Sequence, residues 1–480
     1  MELIGWLWQE RTMTRARSSF DYTIPIVVVG GGACGCAAAL SAKASGSEVL
    51  LIEQDEHPYG TTSMSQGMIA AAGTKAQQAA ELDDSAETFF NDIMEKTQGQ
   101  TDPVIARALA ENSGPTVDWL TEHCEIPFEV DLGFKPSYGN SRYRVHGWPG
   151  HGGEDLLGLL HRRLDDHGVD VMLGCKLTDI FTDETGAVSG LTIAQPDGSS
   201  EEFGCGALVL ACGGFAANEE MVAKHMPELA HARYNGHEGC NGDGIRLGAK
   251  LGAAVGDMGS YQGYAMLTDP QGISVPPVAL IEGGILINNQ GERFVDESKD
   301  IAGMMLQVVA QPDGYVWLVY DEKIEEISLY TNEIKELKQL NAPKHADSLE
   351  SLADVLNVPS AALAGSFADL ERAKSESNPD SVGRDWAGKR LPQASFRALK
   401  VTGALYHTQG GLQIDGEARV IRTDGTAIGG LFAGGGNARS VSGPAHWGYI
   451  PAMGLCTAVT LGRLAGLGAA AYCEHQAEPA

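Results

Sequence analysis

The sequence is short of positive charge: 34 Lys and Arg stand against 63 Asp and Glu in 480 residues, a formal net charge of −29. Nucleic acid and anionic membrane surfaces both need a basic footprint, so neither is expected as a partner. Nine cysteines include no C-x-x-C pair and no clustered set. That excludes the usual zinc spacings, a c-type haem attachment and an iron–sulfur centre. The odd count, with Cys205, Cys212 and Cys456 in apolar runs, reads as reduced, buried thiols of a cytoplasmic protein. A secretory signal is lacking too: in MELIGWLWQERTMTRARSSF the apolar stretch precedes the basic residues, the reverse of the signal order. Residues 1–22 therefore read as a leader outside the fold, with disorder expected and Met13 an alternative start. Residues 24–40 carry no charge, but Gly30, Gly31, Gly32 and Gly35 in their middle predict a buried strand, turn and helix, not a membrane span.

The composition is otherwise globular, with 43% hydrophobic and 20% charged residues. At roughly 100–200 residues per domain the chain accommodates two or three. Glycine is in excess: 61 residues, about 13% against roughly 7% on average. These glycines follow no period and sit in clusters, and no internal repeat is present. IPIVVV is a β-branched run of the kind buried on both faces of a parallel sheet. Residues 76–123 carry apolar positions at helical spacing. Residues 169–212 alternate between turn signals and predict a β-meander. ILINNQGERFV predicts a hairpin turning at Asn289-Gln290-Gly291. Residues 322–375 are charged and helical, and a small-residue helix is expected over 453–466. The segment 258–402 differs in composition from its flanks, as a domain inserted into another would.

Gly30-x-Gly32-x-x-Gly35 follows a strand and opens a helix. The first glycine permits the tight turn, the second lets backbone approach a pyrophosphate, and the third lets helix and strand pack closely. Glu53 ends the next strand, where a carboxylate accepts ribose hydroxyls. A nicotinamide domain needs only this unit. Here further clusters at 60–67, 208–215, 241–244 and 431–437 return to it from both ends of the chain, which points to FAD.

These segments resemble the flavoprotein family of soluble fumarate reductases, succinate dehydrogenase flavoprotein subunits and 3-ketosteroid dehydrogenases. The similarity is carried by GTTSMSQGMIAAAG (60–73), LACGGF (210–215), NGDGIRLGAKLGA (241–253), GERFVDES (291–298), HTQGGLQID (407–415) and 431–466. It implies an α/β fold: a Rossmann-type FAD-binding domain (23–257 and 403–480) interrupted by a smaller α+β capping domain (258–402), with substrate between them. It also implies FAD contacts from Gly30, Gly32, Gly35, Glu53, Thr62, Ser63, Gly67, Ala211, Gly213, Asp243, His407, Gly435 and Leu455. Asn437 compensates for Gly436, where the family often carries glutamate. His57 is out of step with the histidine that attaches FAD in succinate dehydrogenases, so the FAD is expected to be non-covalent.

The resemblance also locates departures. The position of the family's donor arginine falls near Leu280. Two histidine positions and one arginine position fall on Tyr264, Tyr406 and Tyr449. A dicarboxylate there would be poorly neutralised, whereas a phenol hydrogen-bonds a ketone oxygen and a phenolate removes the proton α to it. Each tyrosine alone reads equally well as pocket lining. The chain is thus expected to be an FAD-dependent dehydrogenase that desaturates a cyclic ketone, such as a 3-oxosteroid or a 4-oxocyclohexanecarboxylate-like acid. Tyr264 first, or Tyr261, would take the α-proton. Tyr449 and a backbone N–H near Gly454 would hold the enolate oxygen, and hydride would pass to flavin N5. Arg142, Arg144 and His146 in SRYRVHGW, and His446, are candidates to bind a substrate carboxylate, with plain ion pairing the alternative for the arginines. Electrons would leave to a separate acceptor. The competing expectations are an enoate reductase of fumarate-reductase type and an electron-transfer flavoprotein without substrate chemistry.

Overall fold

The computed structural model describes residues 16–230 and 232–477. Its first sheet is built on strand Thr23–Val29, whose Ile26, Val27 and Val28 are fully buried. Val49–Ile52 and Ser200–Leu210 flank it in parallel, and Asp170–Met172 and Ala427–Ala433 extend the parallel set. The predicted meander is present: Lys176–Thr182, Val188–Ala194 and Ser200–Leu210 run antiparallel, and the last of them enters the parallel sheet. Strand Thr23–Val29 therefore ends between two parallel neighbours, with Gly30 N–H donating to Ile52 O at 2.7 Å and Ala211 N–H to Val29 O at 2.8 Å. A crevice outside such strand ends is where ligands of open α/β sheets bind.

A second sheet lies around the long strand Phe396–Thr408, which pairs with Arg233–Tyr234, Tyr261–Thr268, Tyr315–Asp321 and Lys344–Ala346. This sheet reaches outside 258–402 at both ends, taking in Arg233–Tyr234 and running on to Thr408. The stretch 322–376 is mostly helical, interrupted by the strand Lys344–Ala346. One local expectation fails. The turn at Asn288–Gly291 forms, with Asn288 Oδ1 accepting two backbone N–H groups, but the arm after it is not a strand. Ile285–Ile287 pairs with Tyr315–Asp321 instead.

The closing helix, Met453–Ala477, is much longer than expected. It is long and apolar enough to cross a membrane, yet most of it is buried against the helix Ala33–Ala44 and the first sheet. A Cβ on Gly462 would strike the Cys34 carbonyl, and one on Gly466 the Ala38 carbonyl. Part of the glycine excess thus serves helix packing. Residues 1–15 lie outside the described residues. Residues 16–22, assigned to a leader, are docked: Ala16 bridges Thr182, Arg17 pairs with Glu202 and Tyr22 stacks on Phe203. All nine cysteines are free.

Candidate active site

The crevice outside the first sheet continues to the second sheet as one cavity of about 510 Å³. Gly30, Gly32, Glu53, Thr62, Ala211, Gly213, Asp243, His407, Gly435 and Leu455 line it, as expected of cofactor residues. At the turn, Gly30 has φ +113°. A Cβ on Gly35 would collide with the Gly30 carbonyl oxygen, so this glycine lets the helix sit under the turn and does not reach the cavity. Glu53 is held by two backbone donors, Gly31 N–H at 2.5 Å on Oε2 and Asp55 N–H at 2.9 Å on Oε1. That fixes the carboxylate and leaves lone pairs to accept ribose hydroxyls. His161 Nε2, which sequence reasoning passed over, is 2.7 Å from the Gly31 carbonyl and braces the same turn.

Three other expected cofactor residues are also away from the cavity. Ser63 Oγ donates to Tyr59 O, Gly67 packs on Gly152 and Gly153, and Asn437 Oδ1 accepts Cys212 N–H at 2.7 Å. Asn437 so ties the turn at 211–214 to that at 434–437. The donor set at the strand ends, the cradle and the fixed acid together fit a dinucleotide, and the N-terminus of helix Met453–Ala477, with Leu455 lining the cavity, favours negative charge at its far end. Replacing Glu53 by Gln is expected to weaken FAD retention about tenfold; flavin absorbance of the protein after dialysis measures it.

The far end of the cavity is made where Tyr261–Thr268 pairs with Phe396–Thr408. This register sets Tyr264 opposite Ala404 and Gln262 opposite His407. Tyr264, Tyr406, Tyr449 and Gly454 all line the cavity, with Phe134, Ile273, Ser274, Pro277 and Ile301. Gly454 N–H donates to Tyr449 Oη at 3.3 Å. With its oxygen so used, the Tyr449 hydroxyl proton is free to donate, and burial raises its pKa so that the proton stays on. Tyr406 Oη is hydrogen-bonded to Ser274 Oγ. Burial raises its pKa to about 12, with hydrogen bonds from Ser274 and Asn235 opposing the rise. Asn235 and Ser274 had no sequence signal to mark them. Burial holds the His407 ring neutral, its pKa lowered to about 4, with Gln409 Nε2 2.9 Å from Nδ1.

The remaining candidates are corrected. Tyr264, first choice as base, donates its hydroxyl to the Val275 carbonyl, and burial pushes its pKa far above the usual range. Its phenol forms pocket wall. Tyr261 is buried outside the cavity, its ring 5.8 Å from that of His446, which does not line it either. Arg144 is fully buried between Asp84 at 2.9 Å and Asp92 at 2.6 Å. His146 is buried between Thr74 Oγ1 and Arg144 O, and Arg142 is exposed beside Ser141. None of these reaches the site. The one lysine lining the cavity, Lys176, pairs with Asp243 at 2.8 Å, and no arginine lines it among the described residues.

The profile of the family described as FAD binding domain matches residues 25–448. A fumarate reductase (cytochrome) of Shewanella frigidimarina is 30% identical over 463 residues, 96% of this chain and 80% of that protein. The open conformation of a flavocytochrome c3 fumarate reductase superposes with TM-score 0.78 at 26% identity, covering 94% of this chain and 79% of that one. The 3-ketosteroid-Δ4-(5α)-dehydrogenase of Rhodococcus jostii RHA1 shares the fold with TM-score 0.76 at 24% identity, covering 95% and 99%. The chain belongs to this FAD-binding flavoprotein family, that of the fumarate reductases, and is an FAD-dependent oxidoreductase acting on carbon–carbon bonds.

Proposed function

We propose that the enzyme desaturates a neutral cyclic ketone between its α and β carbons.

 The substrate is a neutral cyclic ketone, and the bond oxidised is the one beside its carbonyl group. The observation that supports this most is the cation-free wall at the far end of the cavity, where tyrosine hydroxyls and apolar side chains meet. A dicarboxylate would be desolvated there with no arginine to neutralise it, a cost of several kcal/mol per charge. A ketone needs only hydrogen-bond donors, and Tyr449 Oη–H supplies one beside the positive first turn of Met453–Ala477. Tyr449 remains a donor throughout, because burial keeps its proton on.

Tyr406 is the best-placed base. Among Tyr264, Tyr406 and Tyr449 it is the one in which two side-chain hydrogen bonds, from Ser274 and Asn235, oppose the effect of burial and stabilise the phenolate. It takes the proton α to the carbonyl, the carbonyl oxygen gains negative charge, and Tyr449 stabilises that charge. FAD, when bound, supplies the acceptor for the hydride from the β carbon. His57 does not line the cavity, which supports FAD held without a covalent bond. A separate acceptor then takes the electrons.

The same groups suit reduction of a conjugated alkene, the direction named for the Shewanella frigidimarina relative, and pH dependence and substrate choice separate the two. The pH profile is the first test. With Tyr406 near 12, the phenolate is scarce at neutrality and its share grows about tenfold per pH unit below the pKa. Ketone desaturation is therefore expected to accelerate as pH rises from 7 towards the alkaline limit of stability. A rate that falls over that range rules out a phenolate base.

A further inference from the structure

The cavity that holds the three tyrosines also holds a carboxylate that the chemistry does not use. Glu333 lines it, from the first turn of the helix Asn332–Gln339. A helix N-terminus favours an acid at that position, but nothing in the helix requires the side chain to face a cavity. Gln66, on the opposite stretch of wall, donates from Nε2 to Glu333 Oε1 at 2.9 Å and fixes where the carboxylate points.

The other charged side chains of this wall have their partners. Lys176 meets Asp243 and His237 meets Asp55, each at 2.8 Å, and Glu53 takes two backbone N–H groups. No cation pairs with Glu333 among the described residues. A carboxylate offers roughly four acceptor positions, and Gln66 fills one of them. The charge of Glu333 reaches both Tyr264 and Tyr406 and adds to the rise in their pKa values. That hinders Tyr406 as a base, because a nearby negative charge disfavours the phenolate. Glu333 therefore works against proton abstraction, and what remains for it to act on is the charge and hydrogen bonding of the substrate.

Resting on the ketone reading of the site, we propose that Glu333, held by Gln66, sets substrate choice: it accepts a hydrogen bond from a hydroxyl carried by the ketone and rejects ketones that bear a carboxylate. A second negative charge brought beside it would meet a repulsion that a partly buried wall screens poorly, with no unpaired lysine or arginine lining the cavity among the described residues to offset it. A hydroxyl finds acceptor lone pairs already in place and brings no ion to desolvate. The preferred substrate is a neutral hydroxyketone, and an oxo acid of the same size is turned away by charge and not by shape.

Two phenols that cannot be desaturated, para-hydroxybenzyl alcohol and para-hydroxybenzoate, test this when titrated into the oxidised, FAD-loaded enzyme with flavin absorbance as the readout. Binding needs no turnover, so its outcome is separate from ketone bleaching, which decides the ketone reading. The alcohol is expected to bind more tightly in the parent. Glu333→Gln should narrow that preference about tenfold, mainly through tighter binding of the benzoate. Thermal melting and flavin content show whether the variant folds as the parent does. Glu333→Gln should also move the alkaline rise of ketone turnover to lower pH, because Tyr406 loses a repelling charge. A merely structural carboxylate would move neither. A parent that binds the benzoate at least as tightly as the alcohol, or an unchanged preference in a folded Glu333→Gln protein, overturns the proposal.

Discussion

A Tyr406→Phe enzyme is expected to lose about 10²–10⁴-fold in turnover of a ketone, the range for removing a general base. Its flavin content and melting temperature should stay close to those of the parent, because the ring and its contact with Tyr264, at 5.3 Å between centroids, remain. The lost oxygen is the one beside Ser274. Tyr264→Phe is the matched control. It removes a hydroxyl from the same cavity, but that hydroxyl is committed to the Val275 carbonyl. It should therefore lower stability by about 1–3 kcal/mol and leave turnover within a few-fold. Equal losses of turnover in the two variants would show that the base has been assigned wrongly.

Arg144→Met should be the most destabilising single change considered, by about 3–5 kcal/mol, the usual cost of breaking a buried ion pair from one side. Arg144 reaches Asp84 through Nε and Nη2, both at 2.9 Å, and Asp92 through Nη1 at 2.6 Å. Its guanidinium also lies 4.4 Å from the centre of the Phe89 ring. Removing it strands two buried carboxylates. Denaturant unfolding measures the loss, and an unchanged midpoint would mean that the pair carries no net stability. This arginine also shows why a cation in an aromatic loop is a poor guide to a substrate site.

The nucleotide half was legible because its demands are local. A turn with φ +113° at Gly30, a helix pressed onto that turn at Gly35 and an acid at the end of the next strand leave marks at fixed spacing. The tyrosines could be placed by resemblance, but their roles could not. Tyr264 and Tyr406 look alike in sequence. What separates them is that one meets the Val275 carbonyl and the other meets Ser274 and Asn235, residues brought in by distant segments. The hairpin after Ile287 failed for a similar reason, because pairing with Tyr315–Asp321 outcompeted the local partner. Local turn chemistry formed the bend and long-range pairing chose the strand.

The most direct test of the account is anaerobic mixing of the oxidised, FAD-loaded enzyme with cyclic ketones, following the flavin's long-wavelength absorbance. Bleaching is expected with a ketone that has hydrogens on its α and β carbons, with the conjugated ketone as product, and fumarate is not expected to reoxidise the reduced enzyme. A flavin band left unchanged by every such ketone, together with rapid reoxidation by fumarate, would contradict it.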